Sequence, residues 1–255
     1  MGRTEPILPA RRGHRLHVEL AADAADVRAA QALRYQVFGE EMGAKLKGGE
    51  YGLDTDELDP YCQHLLVRES ATARVVGCTR ILTDEAARQI GRFYSEGEFD
   101  LDAIKALPGR VLEVGRTCIA PEYRQGAGIA VLWSGLAAFT NLHGFDYLFG
   151  CASLPLGEQD AQAAAIMNRL RRQALAAPER QVTPRMPLLA PPVSEQVLDA
   201  PLPPLVKAYV RLGAKVCGEP CRDPDFGVAD VLMLLDMDEL SPAYSRHFIE
   251  RGERS

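Results

Sequence analysis

Apolar and polar positions along the chain alternate between strand-like and helix-like patterns. Short apolar or alternating runs, which are typical of strands, lie at 14–21, 64–69, 75–83, 111–119, 146–154 and 229–236. Apolar residues at helical spacing, with turn residues at the ends, lie at 23–42, 101–107, 128–142, 158–176 and 205–212. The pattern predicts an α/β chain of about seven strands and five or six helices.

The remaining segments suggest how the chain is divided. Residues 1–13 are polar and contain proline, so we expect a flexible leader before a single domain at 14–250 and a tail at 251–255. The stretch 178–204 holds eight of the 17 prolines, which predicts an extended strap over the surface. Residues 44–60 combine glycines and charges without periodicity, which indicates a loop.

Composition narrows the classes of function. The chain has 255 residues, with 29 Lys and Arg against 35 Asp and Glu, so a broad basic face for nucleic acid is not expected. No apolar run reaches the roughly 18 to 20 residues that span a bilayer, and the start lacks the apolar core of a secretion signal. We expect a cytoplasmic protein, for which peripheral contact with a membrane surface stays open. Six scattered cysteines indicate reduced thiols.

An acidic run, Asp54-x-Asp56-x-x-Asp59, precedes one of the strands. It is compatible with a solvated loop or with recognition of a cationic substrate, since carboxylates attract an ammonium group. A calcium loop would need glycine at the sixth position and glutamate at the twelfth, and neither is present, so no metal site is expected. Arg34 and Arg80 lie beside apolar faces, where pairing with this run and substrate binding are equally good interpretations.

The strand at 111–119 carries Glu113 and Arg116 among apolar neighbours. Residues three apart on a regular strand face opposite ways, so a joint role for this pair requires a bulge, which Gly115 would mark. A bulge would also free backbone N–H groups that can polarise a thioester carbonyl. An exposed pair on a strand edge is the alternative, although the apolar neighbours indicate a buried strand.

A glycine-containing loop, Arg124-Gln125-Gly126-Ala127-Gly128, joins this strand to the next helix. The N-terminus of a helix directs unpaired N–H groups at one point, and small residues let a phosphate approach it. Gln125-x-x-Gly128-x-Ala130 fits the corresponding loop of GNAT acyltransferases, but the loop lacks the Arg-Gly-x-Gly-x-Gly form of acetyl-CoA enzymes. This departure favours a bare phosphopantetheine arm over CoA.

Several spaced motifs together carry a family resemblance. Four of them resemble the acyl-homoserine-lactone synthase branch of the GNAT fold: Arg34-x-x-x-Phe38, Asp54-x-Asp56-x-x-Asp59, Gly77-Cys78-x-Arg80 and Glu113-x-x-Arg116. Other segments are similar to the ornithine-lipid N-acyltransferases, also called hemolysin-like acyltransferases: Glu41-Met-Gly-Ala44, Leu112-Glu-x-Gly-Arg116 and Gly150-Cys-Ala-Ser-Leu154. The likeness covers roughly residues 15 to 250.

The resemblance implies a GNAT-like α/β fold, with a mixed and mostly antiparallel central sheet, a splayed strand pair and flanking helices. It also implies transfer of a 3-hydroxyacyl chain from acyl carrier protein to the α-amine of ornithine, giving lyso-ornithine lipid. The donor would be acyl-phosphopantetheine on the carrier, with no permanently bound cofactor. Two other functions stay open: synthesis of another N-acyl amino acid or of a homoserine-lactone-like signal, and a catalytically silent module that binds acyl carrier.

The resemblance assigns expected roles to individual residues. The expected catalytic residues are Glu113 and Arg116. The expected substrate-binding residues are Arg34, Phe38, Asp54, Asp56, Asp59 and Arg80. The expected pantetheine-binding residues are Arg124, Gln125, Gly126 and Gly128. Because the carrier is acidic, we also expect a basic docking face, formed by Arg169, Arg171, Arg172, Arg180, Arg185 and Lys207.

Overall fold

Six long strands and several very short ones build the structure, a computed structural model that describes residues 15–124, 127–188 and 200–240. The strands are β1 Leu16–Leu20, β2 Gln63–Glu69, β3 Val75–Thr83, β4 Phe99–Asp100, β5 Val111–Ile119, β6 Tyr147–Pro155, β7 Thr183–Pro184, β8 Lys215–Val216, β9 Cys221–Asp223 and β10 Val228–Asp236. The helices are α1 Ala24–Arg34, α2 Asp84–Ile90, α3 Asp102–Lys105, α4 Gly128–Leu142, α5 Ala161–Ala174 and α6 Pro204–Leu212.

Eight of these strands form one sheet in the order β1-β2-β3-β5-β6-β10-β8, with β9 also paired to β10. Among the described strands every pairing in this sheet is antiparallel except that of β5 with β6. The predicted mixed, mostly antiparallel sheet is therefore confirmed. β4 and β7 make a separate two-stranded ribbon.

Helices cover both faces of the sheet. Gly77 and Cys78 are consecutive on β3 and so point to opposite faces. The Cys78 thiol lies 4.0 Å from the Ala30 carbonyl of α1, whereas a side chain at Gly77 would meet Ile119, the residue against which Gly128 of α4 packs. α1 and α4 therefore lie on opposite faces, and α6 shares the α4 face because Trp133 contacts Tyr209 edge-on at 4.8 Å.

The first predicted helix changes form part-way along. Asp23 caps α1 by accepting hydrogen bonds from the N–H groups of Ala25 and Asp26, as expected of an N-terminal carboxylate. Regular helix ends at Arg34 and a wider π-helical turn continues over Tyr35–Glu41, a feature that often occurs at functional sites. The α1 end brings the buried Arg34 side chain to the loop at 44–62, which forms only short turns.

Several elements differ from the prediction. Helix α2 and the short strands β4, β7, β8 and β9 were not predicted. Part of the predicted strap is described: residue Val182 bridges to Gly218, and Pro187 bridges to Cys221. The predicted leader and the predicted tail lie outside the described residues.

Candidate active site

The central feature is a gap in the sheet beside Glu113. β5 and β6 pair only over Val111–Glu113 and Tyr147–Phe149, and the two strands separate beyond this point although each continues. The splayed strand pair expected from the sequence is thus present. Just past the last pair, a Cβ on Gly150 would lie 2.1 Å from the carbonyl oxygen of Val114, so only glycine allows this approach of the two backbones.

A bulge lies on β5 next to the gap. Cys78 faces Cys118 and Arg80 faces Gly115, so one β3 residue between these pairs opposes two residues of β5. Arg116 occupies the bulge with a φ of 53°, which is uncommon for a residue with a side chain. The predicted bulge is confirmed, with the positive φ at Arg116 rather than at Gly115. Strained backbone of this kind is concentrated at functional sites.

Arg116 forms part of the wall of a cleft of about 340 Å³, a volume suitable for a small-molecule ligand. The walls come from the 45–58 loop, the 92–98 segment, Met186, β9 and the loop after it. The Arg116 guanidinium lies 5.0 Å from the centre of the Tyr94 ring and 4.9 Å from that of Phe226. Phe38 meets the Phe226 ring edge-on at 5.7 Å, so it supports the wall from behind.

The three aspartates of the 44–62 loop are held by arginines. Arg34 donates to both carboxylate oxygens of Asp59 at 3.0 and 2.8 Å, and its Nε lies 2.9 Å from Oδ2 of Asp54. Arg80 donates to Asp56 at 2.6 Å and to Asp59 at 2.9 Å.

Arg116 completes this network, because its Nε donates to Oδ2 of Asp54 at 3.1 Å. Three arginines therefore face three aspartates, and the formal charges of the six side chains cancel. Asp54 and Asp56 line the cleft and Arg34 is 1% exposed, so the network anchors a wall of the cleft to the sheet.

The ion pairs and the burial of this network shift the pKa values of its side chains. Burial opposes ionisation of Asp59, but the hydrogen bonds and charges of Arg34 and Arg80 outweigh it and hold the pKa of that carboxyl well below its usual range. The ring of His64 contacts the Asp59 carbonyl oxygen at 3.1 Å, and burial lowers the pKa of His64. At neutral pH, His64 is therefore neutral and Asp59 is ionised.

Glu113 is buried and lies on the same face as this network. Its carboxylate accepts hydrogen bonds from the N–H groups of Tyr94 at 2.7 Å and Ser95 at 2.8 Å, and from the Ser95 hydroxyl. Burial raises the pKa of Glu113, and the hydrogen bonds from Ser95 and Tyr94 oppose that shift. The Tyr94 hydroxyl in turn accepts from Arg116 at 3.2 Å. Glu113 and Arg116 thus meet through one tyrosine, although Glu113 does not line the cleft.

The described part of the predicted pantetheine loop lies at the start of α4. Gly128 is the first residue of that 15-residue helix, and a Cβ there would lie 2.8 Å from the Tyr123 carbonyl oxygen. Arg124 donates to the Ile119 carbonyl at 2.8 Å and pairs with Glu41 at 2.5 and 2.7 Å. Gln125 and Gly126 lie outside the described residues.

Comparison with known proteins agrees with this geometry. Residues 33–134 match the model of the Acetyltransferase (GNAT) domain. The chain is 36% identical over 248 residues to the L-ornithine N(alpha)-acyltransferase of Rhizobium meliloti (strain 1021), covering 91% of this chain and 84% of the relative. It is also 36% identical to the protein of the same name from Rhodobacter capsulatus, covering 92% and 95% of the two chains.

The chain belongs to the L-ornithine N(alpha)-acyltransferase family. It is an N-acyltransferase with a GNAT fold, as the sequence motifs predicted. Among solved structures, the CoA-dependent acyl-homoserine lactone synthase BjaI with SAM and isopentyl-CoA has a TM-score of 0.55 at 16% identity, covering 94% of this chain and 90% of that one. FeeM, an N-acyl amino acid synthase from uncultured soil microbes, has a TM-score of 0.52 at 13% identity, with 88% and 92% covered. At these identities the likeness concerns the fold.

The structure of this family member also brings together residues that the motifs did not indicate. Glu98, Asp223 and Asp230 come from three separate elements, and one carboxylate oxygen of each lies within 4.8 Å of the others. Glu98 and Asp223 line the same cleft as Arg116. In the sequence, Asp230 could have been singled out because it lies inside the otherwise apolar strand β10, and buried charges seldom occur without a partner or a purpose.

Two further features bear on partners. No helix in the described ranges is both long and apolar enough to cross a membrane. Of the six basic residues expected to face an acyl carrier, Arg171 pairs with Glu219, Arg180 pairs with Asp236 at 3.1 Å, and Arg185 donates to the Glu96 carbonyl at 2.7 Å. Neighbouring acids and carbonyls thus engage part of this predicted face.

Proposed function

We propose that the enzyme transfers a 3-hydroxyacyl chain from the phosphopantetheine arm of acyl carrier protein to the α-amine of ornithine, giving lyso-ornithine lipid. The observation that carries this proposal is the parting of β5 and β6 beside a cleft of amino-acid size, in a chain 36% identical to proteins named L-ornithine N(alpha)-acyltransferase. The gap gives a thioester arm a place between two strand edges, and the cleft gives the acceptor a place next to it.

The chemistry requires an amine, not an ammonium. The α-ammonium loses one proton to a base, its lone pair attacks the thioester carbonyl, and the carbon–sulfur bond breaks. The nitrogen then loses a second proton, and the leaving sulfur departs as a thiol, so one proton is released overall. Backbone N–H groups along the unpaired edges beyond Glu113 are suited to stabilise the oxyanion.

Glu113 is our proposed proton acceptor, acting directly or through water. Its burial raises the carboxylate pKa and so makes the group a better base at neutral pH. The same carboxylate fixes Tyr94, which contacts Arg116 in the cleft wall. Arg116 has the charge to hold the carboxylate of an amino acid, and the Arg34, Arg80 and aspartate network keeps that wall in place.

For the donor, we propose the carrier-bound arm with its phosphate at the start of α4. Gly128 leaves the helix N-terminus open to a phosphate, and the loop has only two glycines where acetyl-CoA enzymes have three. The proposed carrier contact is the basic face formed by Arg169, Arg171, Arg172, Arg180, Arg185 and Lys207. Charge reversal of both Arg171 and Arg172 should then weaken the apparent affinity for acyl carrier protein, and an unchanged affinity would place the contact elsewhere.

The decisive test supplies purified protein with 3-hydroxyacyl carrier protein, or the matching acyl-CoA, and ornithine, and detects the N-acyl product by mass spectrometry. We expect the carrier-bound donor to be used far better than CoA. Glu113→Gln should lower kcat by about 100-fold or more with a small change in KM, since general base catalysis contributes about 10²–10⁴-fold. The exposed Glu85→Gln variant serves as the control. Absence of product with every donor and with a panel of amino acids would refute the proposal.

A further inference from the structure

Three carboxylates form a second acidic group in the cleft. Glu98 follows a short turn after Ser95, Asp223 ends β9, and Asp230 lies on β10 opposite Ser153 of β6. One oxygen from each lies within 4.8 Å of the other two, and Glu98 and Asp223 are exposed to the cleft. Such a group has the size to surround a single small cation.

One buried oxygen of Asp230 lacks a hydrogen-bond donor from the described part of the protein. Asp230 is only 5% exposed, yet its Oδ1 has no hydrogen-bond partner among the described residues. The same holds for Oε2 of Glu98. A buried carboxylate oxygen without a donor is costly, and native proteins rarely keep one without a reason. A bound ligand with hydrogen-bond donors would satisfy both oxygens.

The arginines of the cleft wall do not supply those donors. Arg116 donates to Asp54 and to the Tyr94 hydroxyl, and Arg222 pairs with Asp160. The second acidic group therefore differs from the Asp54, Asp56 and Asp59 set, whose charge three arginines cancel. Its negative charge is directed at the cleft.

Protonation lowers the electrostatic cost of holding three carboxylates together. Burial and the neighbouring Asp230 and Asp223 raise the pKa of Glu98 to about 9. Burial and the neighbouring Asp223 likewise raise the pKa of Asp230 to about 6, against the opposing effects of hydrogen bonds from Ser153 and Glu98 and of the Arg116 charge. Near pH 7 the group thus holds a proton, which a bound cation would displace.

We propose that Glu98, Asp223 and Asp230 form a subsite for the side-chain ammonium group of a diamino acid acceptor. A primary ammonium carries three N–H donors, which matches three carboxylate oxygens, whereas a divalent metal ion prefers six or more oxygen ligands. The inference rests on the proposed function and adds to it, because the subsite would select an acceptor with a second amine. An acceptor without that amine would leave the carboxylates without hydrogen-bond donors, and a site with such unpaired polar groups discriminates strongly against that ligand.

The first test compares ornithine with norvaline, which has the same carbon chain without the side-chain amine. The full-length enzyme should prefer ornithine by at least about 100-fold in kcat/KM. Asp230→Asn should reduce that preference at least 10-fold, mainly through a higher KM for ornithine, while turnover of norvaline is kept. Neutralising one of three crowded carboxylates relieves repulsion, so this variant should fold. Glu98→Gln is the second variant, and Asp238→Asn, an exposed aspartate just beyond the far end of β10, is the control.

The second test measures binding without catalysis. Titration calorimetry with ornithine in buffers of different ionisation enthalpy should show that binding releases a proton, and that norvaline binds at least 10-fold more weakly. Asp230→Asn should abolish the difference between the two ligands. Magnesium or calcium chloride is the competing probe: tight metal binding that Asp230→Asn abolishes, with ornithine binding unaffected by the metal, would overturn the proposal.

The two tests separate this inference from the proposed function. If norvaline and ornithine are acylated equally well, the acyltransfer proposal stands and the subsite is refuted. If neither is acylated but ornithine binds with the stated dependence on Asp230, the subsite stands and the assigned reaction is refuted. If ornithine binds no better than norvaline, the subsite is refuted whatever the activity.

Discussion

Replacing Arg34 should destabilise the protein more than any surface change. Arg34 is 1% exposed and binds Asp59 through two hydrogen bonds, the Asp54 carbonyl oxygen at 2.5 Å, and the Asp54 carboxylate through its Nε. Breaking a buried ion pair by removing one partner costs about 3–5 kcal/mol, because a buried charge is left uncompensated. In Arg34→Gln, Asp59 keeps Arg80 and Asp54 keeps Arg116. We therefore expect the lower end, about 3 kcal/mol.

Urea unfolding at pH 7 followed by circular dichroism measures this change, provided that the m-value is the same in both proteins. Arg28→Gln on the same helix is the matched control, because Arg28 is exposed and such substitutions usually stay within about 0.5 kcal/mol. A loss of less than about 1 kcal/mol for Arg34→Gln, with an unchanged m-value, would show that the network is solvated in solution and does not anchor the cleft wall.

Three further predictions concern pH and packing. The pKa of Asp59 is depressed in the folded state, so its ion pairs stabilise the fold above about pH 4, and this stabilisation is lost as the pH falls. In urea unfolding measured at several pH values, the destabilisation caused by Asp59→Asn should therefore shrink below pH 4. The pKa of Glu98 is raised to about 9, so the folded state loses stability as the pH rises from about 4.3 towards 9. The melting temperature of Glu98→Gln should therefore rise relative to that of the wild type over this pH range. A difference in melting temperature that stays constant with pH would contradict the shift. Gly150→Ala should lose about 1–3 kcal/mol in urea unfolding because its Cβ would collide with the Val114 carbonyl, whereas Gly97→Ala, which meets no atom within 4 Å, should be near neutral.

Helices and strands were predictable wherever apolar residues recurred at a regular spacing over enough residues. The six long strands and helices α1, α4, α5 and α6 were expected from the sequence, since each buries a face against the sheet. α2 was missed because its seven residues bury only Ala87, which leaves no apolar period. Its ends carried a usable signal in the Thr83 cap and in Gly91, which has a φ of 88°.

The site was predictable in part. Pairing of Arg34 and Arg80 with the aspartate run was one of two interpretations that the sequence left open, and the structure contains that pairing, because charges beside apolar faces require partners. Sequence patterns gave no means of placing Glu98 next to Asp230, since the two are brought together by the fold and not by spacing. The direction of the Arg116 side chain likewise depends on a bulge, and the sequence indicates the position of that bulge only to within one residue.

The two acidic groups together define a polarity for the cleft. On one side, Arg116 faces the cleft from a network whose formal charges cancel, and its guanidinium is the group that we propose for the carboxylate of the acceptor. On the other side, Glu98, Asp223 and Asp230 hold one proton between them near pH 7, so this group remains net negative although the Arg116 charge also acts on Asp230. A diamino acid is itself polarised in this sense, with a carboxylate at one end and an ammonium at the other. We propose that binding in this orientation holds the α-carbon near Arg116 and the α-amine on the side where Tyr94 leads back to Glu113 and to the gap between the strands. In that proposal, the electrostatic pattern of the cleft selects which of the two amines reaches the thioester.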